Sequence, residues 1–257
     1  MNLRSVRLHR GLTALGCLAA LGAAGCGGST AGTAVPVSTT PSSTTSSPPA
    51  SSSSAAPTEV DSVGGDAFRP LALTQTDLPT GFAEQKVTVA QALAAQQNAL
   101  QGATVTPPGC GTVAPVNEQS AKNGLATAFA MSATQEVISE FLAPAGTPSL
   151  AALQATAAGC GSVTITVPAK GLNITGSVEI VPAPAVSADK TLGLRTTTTT
   201  VVAGSPPVKI VQINYLAEAK GTLVSINSKG GPSGKPVEPA VVDGVFAKAV
   251  QKVVAGR

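Results

Sequence analysis

The fold is decided by five short stretches in the second half of the chain: 163–167 (VTITV), 174–180 (ITGSVEI), 196–202 (TTTTTVV), 208–217 (VKIVQINYLA) and 222–226 (TLVSI). Apolar and polar residues alternate in the first two, which predicts strands with one buried face. The threonine run is β-prone because β-branched side chains suit a pleated surface. A Lys220-Gly221 turn separates the last two stretches. We therefore expect a meander of antiparallel strands.

Helical patterns dominate the first half of the chain. Thr88 with Gln91 resembles a capping box and predicts a helix through Leu100. Residues 125–131 are predicted as a strand, 134–143 as a helix, and 149–158 as a helix that Gly159 ends. Helical and strand patterns in separate blocks indicate the α+β class: an antiparallel β-sheet packed by helices.

The chain closes with a predicted helix over residues 239–254. Its apolar residues recur at intervals of three and four and form a stripe that must pack on the sheet: Val242, Val245, Phe246, Ala249 and Val253. The 257 residues include no Trp, one Tyr and five Phe. We therefore expect a core of Val, Ile, Leu and Ala, and no exposed aromatic platform for stacking bases or sugars.

Residues 1–25 have the pattern of a secretory signal peptide. Arg4, Arg7 and Arg10 precede an uncharged run over residues 11–24. Small residues then precede Cys26, which resembles a bacterial lipoprotein signal, in which the cysteine is acylated and becomes the new N-terminus. Cys17 is the competing candidate, but it would leave a hydrophobic region of six residues. An ordinary secretory peptide with an incidental cysteine is the alternative.

We therefore predict that Cys26 is a lipid attachment point. The protein is then expected at the cell membrane, lipid-anchored on the extracytoplasmic face.

Removal of residues 1–25 changes the charge and the available chemistry. The chain has 16 Lys and Arg against 13 Asp and Glu, and without the three N-terminal arginines the counts are equal. Nucleic-acid binding, which needs clustered positive charge, is therefore not expected. The single histidine, His9, is removed as well, which excludes histidine-based catalysis and metal ligation in the mature protein.

Residues 26–65 are dominated by Ser, Thr, Pro, Ala and Gly. This composition cannot bury enough apolar surface to fold and predicts a disordered linker. It resembles the O-mannosylated segments of actinobacterial lipoproteins, with an unmodified spacer as the alternative. Residues 66–257 are then one domain by length.

Two cysteines remain in the domain, Cys110 and Cys160, each between glycines. An isolated pair in an exported protein predicts a disulfide. A redox-active pair is not expected, because the Cys-x-x-Cys spacing is missing.

Two short motifs suggest a serine hydrolase. Ser187 and Lys190 form Ser-x-x-Lys, and Ser225 and Asn227 form Ser-x-Asn, as in penicillin-interacting enzymes. The third element of those enzymes, Lys-Thr-Gly far downstream, is missing. We therefore interpret both motifs as chance matches and expect no enzyme activity.

Two further patterns are interpreted as structural. Residues 230–235 are one residue short of a phosphate-binding loop, and Pro236 stands where a Ser or Thr would hold magnesium, so a turn is expected. Glu136 and Glu140 are four apart on the predicted helix, as in half of a glycosidase pair or a weak cation site. We expect a solvated helix face there instead. No catalytic residue, cofactor or metal ligand is predicted.

The order of these features resembles a known family. Asp77-Leu78-Pro79-x-Gly81-Phe82, then Pro107-Pro108-Gly109-Cys110, then Cys160, paired strands and a C-terminal amphipathic helix look like the PknH-like extracellular sensor domain of actinobacteria, over about residues 70–255. The resemblance implies an α+β fold with a central cleft for an unidentified small-molecule or envelope ligand. Members of the family usually have a second disulfide, which this chain lacks.

These observations predict a membrane-anchored envelope lipoprotein whose domain, expected to be a monomer, binds or senses a ligand. The alternative is an interaction protein that docks envelope or host partners through its sheet face. A hydrolase that uses Ser187 and Lys190 is the third hypothesis.

Overall fold

Residues 65–110, 122–146, 148–202 and 204–256 are described by a computed structural model. In these ranges the strands are β1 (Phe82–Gln85), β2 (Thr104–Thr106), β3 (Leu125–Met131), β4 (Glu136–Pro144), β5 (Val163–Val167), β6 (Leu172–Val181), β7 (Lys190–Val202), β8 (Val208–Ala219) and β9 (Thr222–Lys229). The α-helices are α1 (Val89–Leu100), α2 (Leu150–Gly159) and α3 (Pro239–Gly256). Short 3-10 helices span Gly65–Leu71, Gln75–Asp77 and Pro168–Lys170.

The predicted signal peptide, Cys26 and the linker up to residue 64 lie outside the described residues. No helix in the described part of the chain is long and apolar enough to cross a membrane.

The nine strands form one sheet in the order β1-β3-β4-β9-β8-β7-β6-β5-β2. All neighbours in this order run antiparallel. The described residues form one compact unit. The predicted α+β class with an antiparallel sheet is therefore confirmed.

The predicted meander is formed by β5 to β9, each next to its neighbour in sequence. Lys220 and Gly221 connect β8 to β9, and their φ angles of 49° and 74° are both positive. Two positive φ angles match the right-handed twist of the strands in a two-residue hairpin turn. Short-range turn chemistry therefore sets the register that pairs Ala219 with Thr222.

The helix predicted over residues 134–143 is wrong, because this segment is strand β4. Strand β4 lies inside the sheet, between β3 and β9. Residues 137–143 are all buried, because both faces of the strand are covered: Ile138 belongs to one hydrophobic cluster and Phe141 to another. A strand buried on both faces loses the apolar-polar alternation that identifies strands from sequence. The strand predicted over residues 125–131 is confirmed as β3.

Helices α1 and α2 begin where their caps predict. The Thr88 hydroxyl accepts from the N–H of Gln91, and the Gln91 side chain accepts from the N–H of Thr88 at 2.9 Å. The Ser149 hydroxyl accepts from the N–H of Ala152 at 3.2 Å. These caps supply partners for N–H groups that the first helical turn leaves unpaired.

The two faces of the sheet are covered by different helices. The apolar stripe of α3 is buried as predicted and packs on β8 and β9, where Phe246 lies 5.4 Å from Tyr215 between ring centroids. Helix α2 packs on β6, β7 and β8, and its Leu153 belongs to a cluster with Leu216. Tyr215 and Leu216 are successive residues of β8, so they point to opposite faces.

The core contains aromatic side chains in addition to the expected Val, Ile, Leu and Ala, because all five Phe and the single Tyr are buried. Each aromatic side chain buries about 150–250 Å² of surface, so even a few of them contribute heavily to a core. All of the chain's aromatic side chains are therefore inside the domain.

The disulfide joins Cys110, after β2, to Cys160, at the end of α2. The two Cα atoms are 5.5 Å apart. Cys160 is buried, and its carbonyl accepts from the N–H of Val178 on β6 at 3.2 Å. The bond thus ties the end of α2 to the segment that follows the edge strand β2.

The combined substitution of Cys110→Ser and Cys160→Ser should lower the free energy of unfolding by about 4 kcal/mol, because a closed loop with a sequence separation of 50 restricts the unfolded chain. Urea unfolding of the variant and of the wild type measures this loss. Wild-type protein in reductant is the control and should match the variant. A loss below about 1 kcal/mol would show that the disulfide contributes little to stability.

Candidate functional site

An open cleft of about 640 Å³ lies at the end of the β3–β4 hairpin. Its walls come from four parts of the chain: the entry to β1, the hairpin, the segment of residues 232–238, and the first turn of α3. The last two parts are consecutive, but the entry to β1, the hairpin and residues 232–241 are far from one another in sequence. The cleft is therefore a product of the tertiary structure.

The hairpin supplies one wall. Met131 at the end of β3 is paired with Phe82 of β1 on one side and with Glu136 of β4 on the other. The four-residue turn between the strands is closed by the Gln135 N–H, which donates to the Met131 carbonyl at 2.7 Å. Gln135 has a φ of 58°, which reverses the chain. The turn thereby presents Ala133 and Thr134 to the cleft.

Residues 230–235 supply the opposite wall and form the predicted turn. The Gly230 N–H donates to the Val211 carbonyl at 3.2 Å, and the Gly234 N–H donates to the Gly231 carbonyl at 3.1 Å. The Lys235 N–H donates to the Ser233 hydroxyl at 3.4 Å. A phosphate-binding loop needs free N–H groups directed at the ligand, and these three already have partners.

The glycines of this turn allow the two walls to meet. A Cβ atom on Gly231 would overlap the carbonyl of Thr134, and one on Gly230 would overlap the carbonyl of Lys235. Only glycine permits this close approach of backbone to backbone. Past the turn, the buried Val237 leads the chain to Pro239, the first residue of α3.

The lining of the cleft is amphipathic. Its apolar part is formed by Phe82, Met131, Val237, Val241 and three prolines, Pro79, Pro232 and Pro236. The polar groups are Glu136, Glu238, Lys235, Ser233 and Thr134. Within the described residues, no group of three or more Cys, His, Asp or Glu could hold a metal ion. An apolar floor with a few polar groups suits a small amphipathic molecule.

The residues of the hydrolase hypothesis do not form a constellation. Ser187 is exposed in the loop before β7, and Lys190, the first residue of β7, pairs with Glu218 at 3.4 Å. Ser225 and Asn227 lie on β9, which β8 separates from β7. The Ser225 hydroxyl donates to the side chain of Asn214 at 3.0 Å, so it is already engaged.

The predicted helix is wrong for both Glu136 and Glu140, and the predicted solvated face is wrong for Glu140. Both lie on strand β4, where four residues span about 13 Å, so their carboxylates do not form a close pair. Glu136 lines the cleft. Glu140 is only 2% exposed, so it does not belong to a solvated face.

The buried carboxyl group of Glu140 lies beneath the N-terminal segment of the domain. Its Oε2 accepts from the Leu73 N–H at 2.7 Å and from the Thr127 hydroxyl at 3.1 Å, whereas Oε1 has no partner. Burial raises the pKa of Glu140 to about 7, although the two hydrogen bonds act in the opposite direction. The signal in the sequence was a single acid within an apolar run.

An ion pair lies close to Glu140. The Lys252 ammonium of α3 donates to Asp77 Oδ2 at 2.7 Å, and Thr74 donates to the same oxygen through its N–H and its hydroxyl, each at 2.9 Å. Burial raises the pKa of Asp77, but the hydrogen bonds from Lys252 and Thr74 outweigh it and hold that pKa below its usual value. Asp77 is therefore ionised at neutral pH.

Residues 71–254 match the family described as a domain of unknown function, DUF5642. No curated protein matches the chain. Among solved structures, the chain is similar to an uncharacterized protein of Mycobacterium smegmatis, an Rv0999 ortholog. The identity is 14% and the TM-score 0.39, over 72% of this chain and 95% of that one.

Gly231→Ala should displace the turn from the hairpin and lower the free energy of unfolding by about 1–3 kcal/mol, the usual cost of overpacking. Gly244→Ala is the matched control, because a Cβ there meets open space on α3. In a helix this change should stabilise by about 0.5–1 kcal/mol. Thermal unfolding measures both variants. Equal effects would contradict the close approach at Gly231.

Proposed function

The chain belongs to the DUF5642 family, and from this premise we propose that it is a cell-envelope lipoprotein whose domain binds a small amphipathic ligand. The ligand lies in the cleft between the β3–β4 hairpin and residues 232–238. The protein is anchored through Cys26 at the extracytoplasmic face of the membrane. Its role is binding or sensing, not catalysis, as in the PknH-like sensor domains that the sequence resembles.

The cleft is the observation that carries this proposal. Its volume of about 640 Å³ lies in the usual range of small-molecule sites, about 300–1,000 Å³. Met131, Val237 and Val241 offer apolar contact, while Lys235, Glu136 and Glu238 can orient a polar group of the ligand. The absence of exposed aromatic side chains argues against sugars as ligands, since sugars are usually held by stacking.

Two observations support the location. Small residues precede Cys26 after a charged and then an apolar segment. The disulfide between Cys110 and Cys160 persists in oxidising compartments, which for a bacterial protein lie outside the cytoplasm.

The alternative, docking of protein partners through the sheet face, has less support. Ile180 and Val201 are the exposed large apolar residues of the described chain, at 45% and 43% exposure. Val201 is paired with Asn173 of β6, so these two side chains lie on the same face of the sheet. Ile180 is seven residues after Asn173 on β6, and because successive side chains of a strand alternate, Ile180 and Val201 point to opposite faces. They do not form one apolar patch of the kind that marks an interface.

Ligand binding can be tested with the dye 1-anilinonaphthalene-8-sulfonate, an amphipathic probe, by fluorescence titration of the purified protein. Ser233→Trp places a bulky ring in the cleft from an exposed position and should weaken binding at least about tenfold, equivalent to about 1.4 kcal/mol. Ser162→Trp is the matched control, because Ser162 is exposed and outside the cleft. Equal dye binding by the two variants would refute the cleft as the site.

The anchor can be tested by membrane fractionation of the protein expressed in an actinobacterial host. Cys26→Ser should move the protein from the membrane to the soluble fraction, because it removes the thiol that receives the lipid. Cys17→Ser is the matched control and should leave the protein on the membrane. Release by Cys17→Ser, or retention of Cys26→Ser, would show that Cys26 is not the anchor.

A further inference from the structure

The first described residues of the domain, 65–78, form a segment that we call the strap. The strap packs on β3, β4 and α3. Its apolar side chains Phe68, Leu71 and Leu73 are buried in the cluster that contains the stripe of α3. The strap therefore completes the core on the α3 face of the sheet.

Two polar contacts hold the strap to different elements. The Leu73 N–H donates to Glu140 of β4 at 2.7 Å, and Asp77 is paired with Lys252 of α3 at 2.7 Å. The first contact is a single backbone N–H on a single buried carboxyl group. Removing it would leave the Leu73 N–H unpaired inside the protein and Glu140 with the Thr127 hydroxyl as its one partner, so the strap and Glu140 depend on each other.

Glu140 is shielded from bulk solvent while the strap is closed. Its side chain is on the α3 face, because it pairs with Ile226, whose side chain is in the α3 cluster. With Leu73 bonded to Oε2, the other oxygen, Oε1, is buried and has no partner. Burying an ionised carboxylate with one oxygen that accepts no hydrogen bond costs far more free energy than burying a neutral carboxyl group.

We propose that the strap is a proton-controlled latch: it is closed while Glu140 carries a proton and opens to hydrate the carboxylate when the proton is lost. This inference is independent of the proposed ligand site. It assigns the buried acid a role in the movement of the segment through which the domain is joined to residues 26–64.

The charged groups around Glu140 do not give its Oε1 a hydrogen-bond partner. Lys252 of α3 favours the ionised form of Glu140, and Asp77 of the strap opposes it. Lys252 and Asp77 form an ion pair with each other. The neighbouring strands contribute the hydroxyl of Thr127 from β3 and the apolar Ile226 from β9. Burial is therefore the dominant influence on Glu140.

The direction of the pH effect follows from the two states of Glu140. Its pKa is about 7 with the strap closed and 4.5, the ordinary value, when the group is hydrated. The closed state binds the proton more tightly, so raising the pH favours opening. The opening constant should rise by up to about tenfold for each pH unit between these two values and then level off.

Hydrogen exchange of the Leu73 amide, followed by NMR from about pH 5 to about pH 8 and corrected for intrinsic exchange, tests the latch. We expect protection of Leu73 to fall with rising pH and to stay, at every pH, below the protection of Val224 in the central strand β9, which reports global unfolding. Glu140→Gln keeps an acceptor for the Leu73 N–H but cannot titrate, so it should remove the pH dependence. Glu179→Gln, at an exposed position of β6, is the matched control.

Equal protection of Leu73 and Val224 would mean that Leu73 exchanges only by global unfolding and would overturn the proposal, as would a pH dependence of Leu73 that survives Glu140→Gln. If Glu140→Gln does not fold, the carboxyl carbon of Glu140 in the wild type gives the answer. Its chemical shift should titrate with the same midpoint as the protection of Leu73, and a separate midpoint would overturn the latch.

Discussion

The pairing of β4 with β9 is the interaction on which the rest of the structure depends. Eight residue pairs, from Val137 with Lys229 to Pro144 with Thr222, join a hairpin of the first half to the meander of the second half. A shift of one residue would move Val224 and Ile226 from the α3 face to the α2 face, and burial on both sides forbids this. The register is therefore fixed by packing as well as by hydrogen bonds.

The cleft and the buried acid both follow from this register. It brings the hairpin turn against Gly231, where only a glycine backbone fits, and so creates the cleft. It also places Glu140 opposite Ile226, under the strap and near α3. The strap continues into Pro79 and Phe82, which line the cleft, so the buried carboxyl group and the proposed ligand site share one segment of chain.

The meander, the caps and the stripe of α3 could be predicted because each depends on near neighbours in sequence. The Lys220-Gly221 turn adopts positive φ angles by local chemistry, and Thr88 caps α1 through a residue three positions away. Strand β4 could not be predicted, because it is buried on both faces by elements from distant parts of the chain. Its apolar run is equally compatible with a helix until the sheet supplies neighbours for its N–H and carbonyl groups.

The sequence by itself determined the class of fold, the disulfide and the face of α3 that is buried, because composition, spacing and periodicity are properties of the chain alone. The tertiary structure decided that Glu140 is buried and that Glu136 and the 230–235 turn, both interpreted as structural from sequence, line one cleft. The physical reason is that a side chain's environment depends on which distant segments cover it. Sequence periodicity shows which face is apolar but not what packs against it.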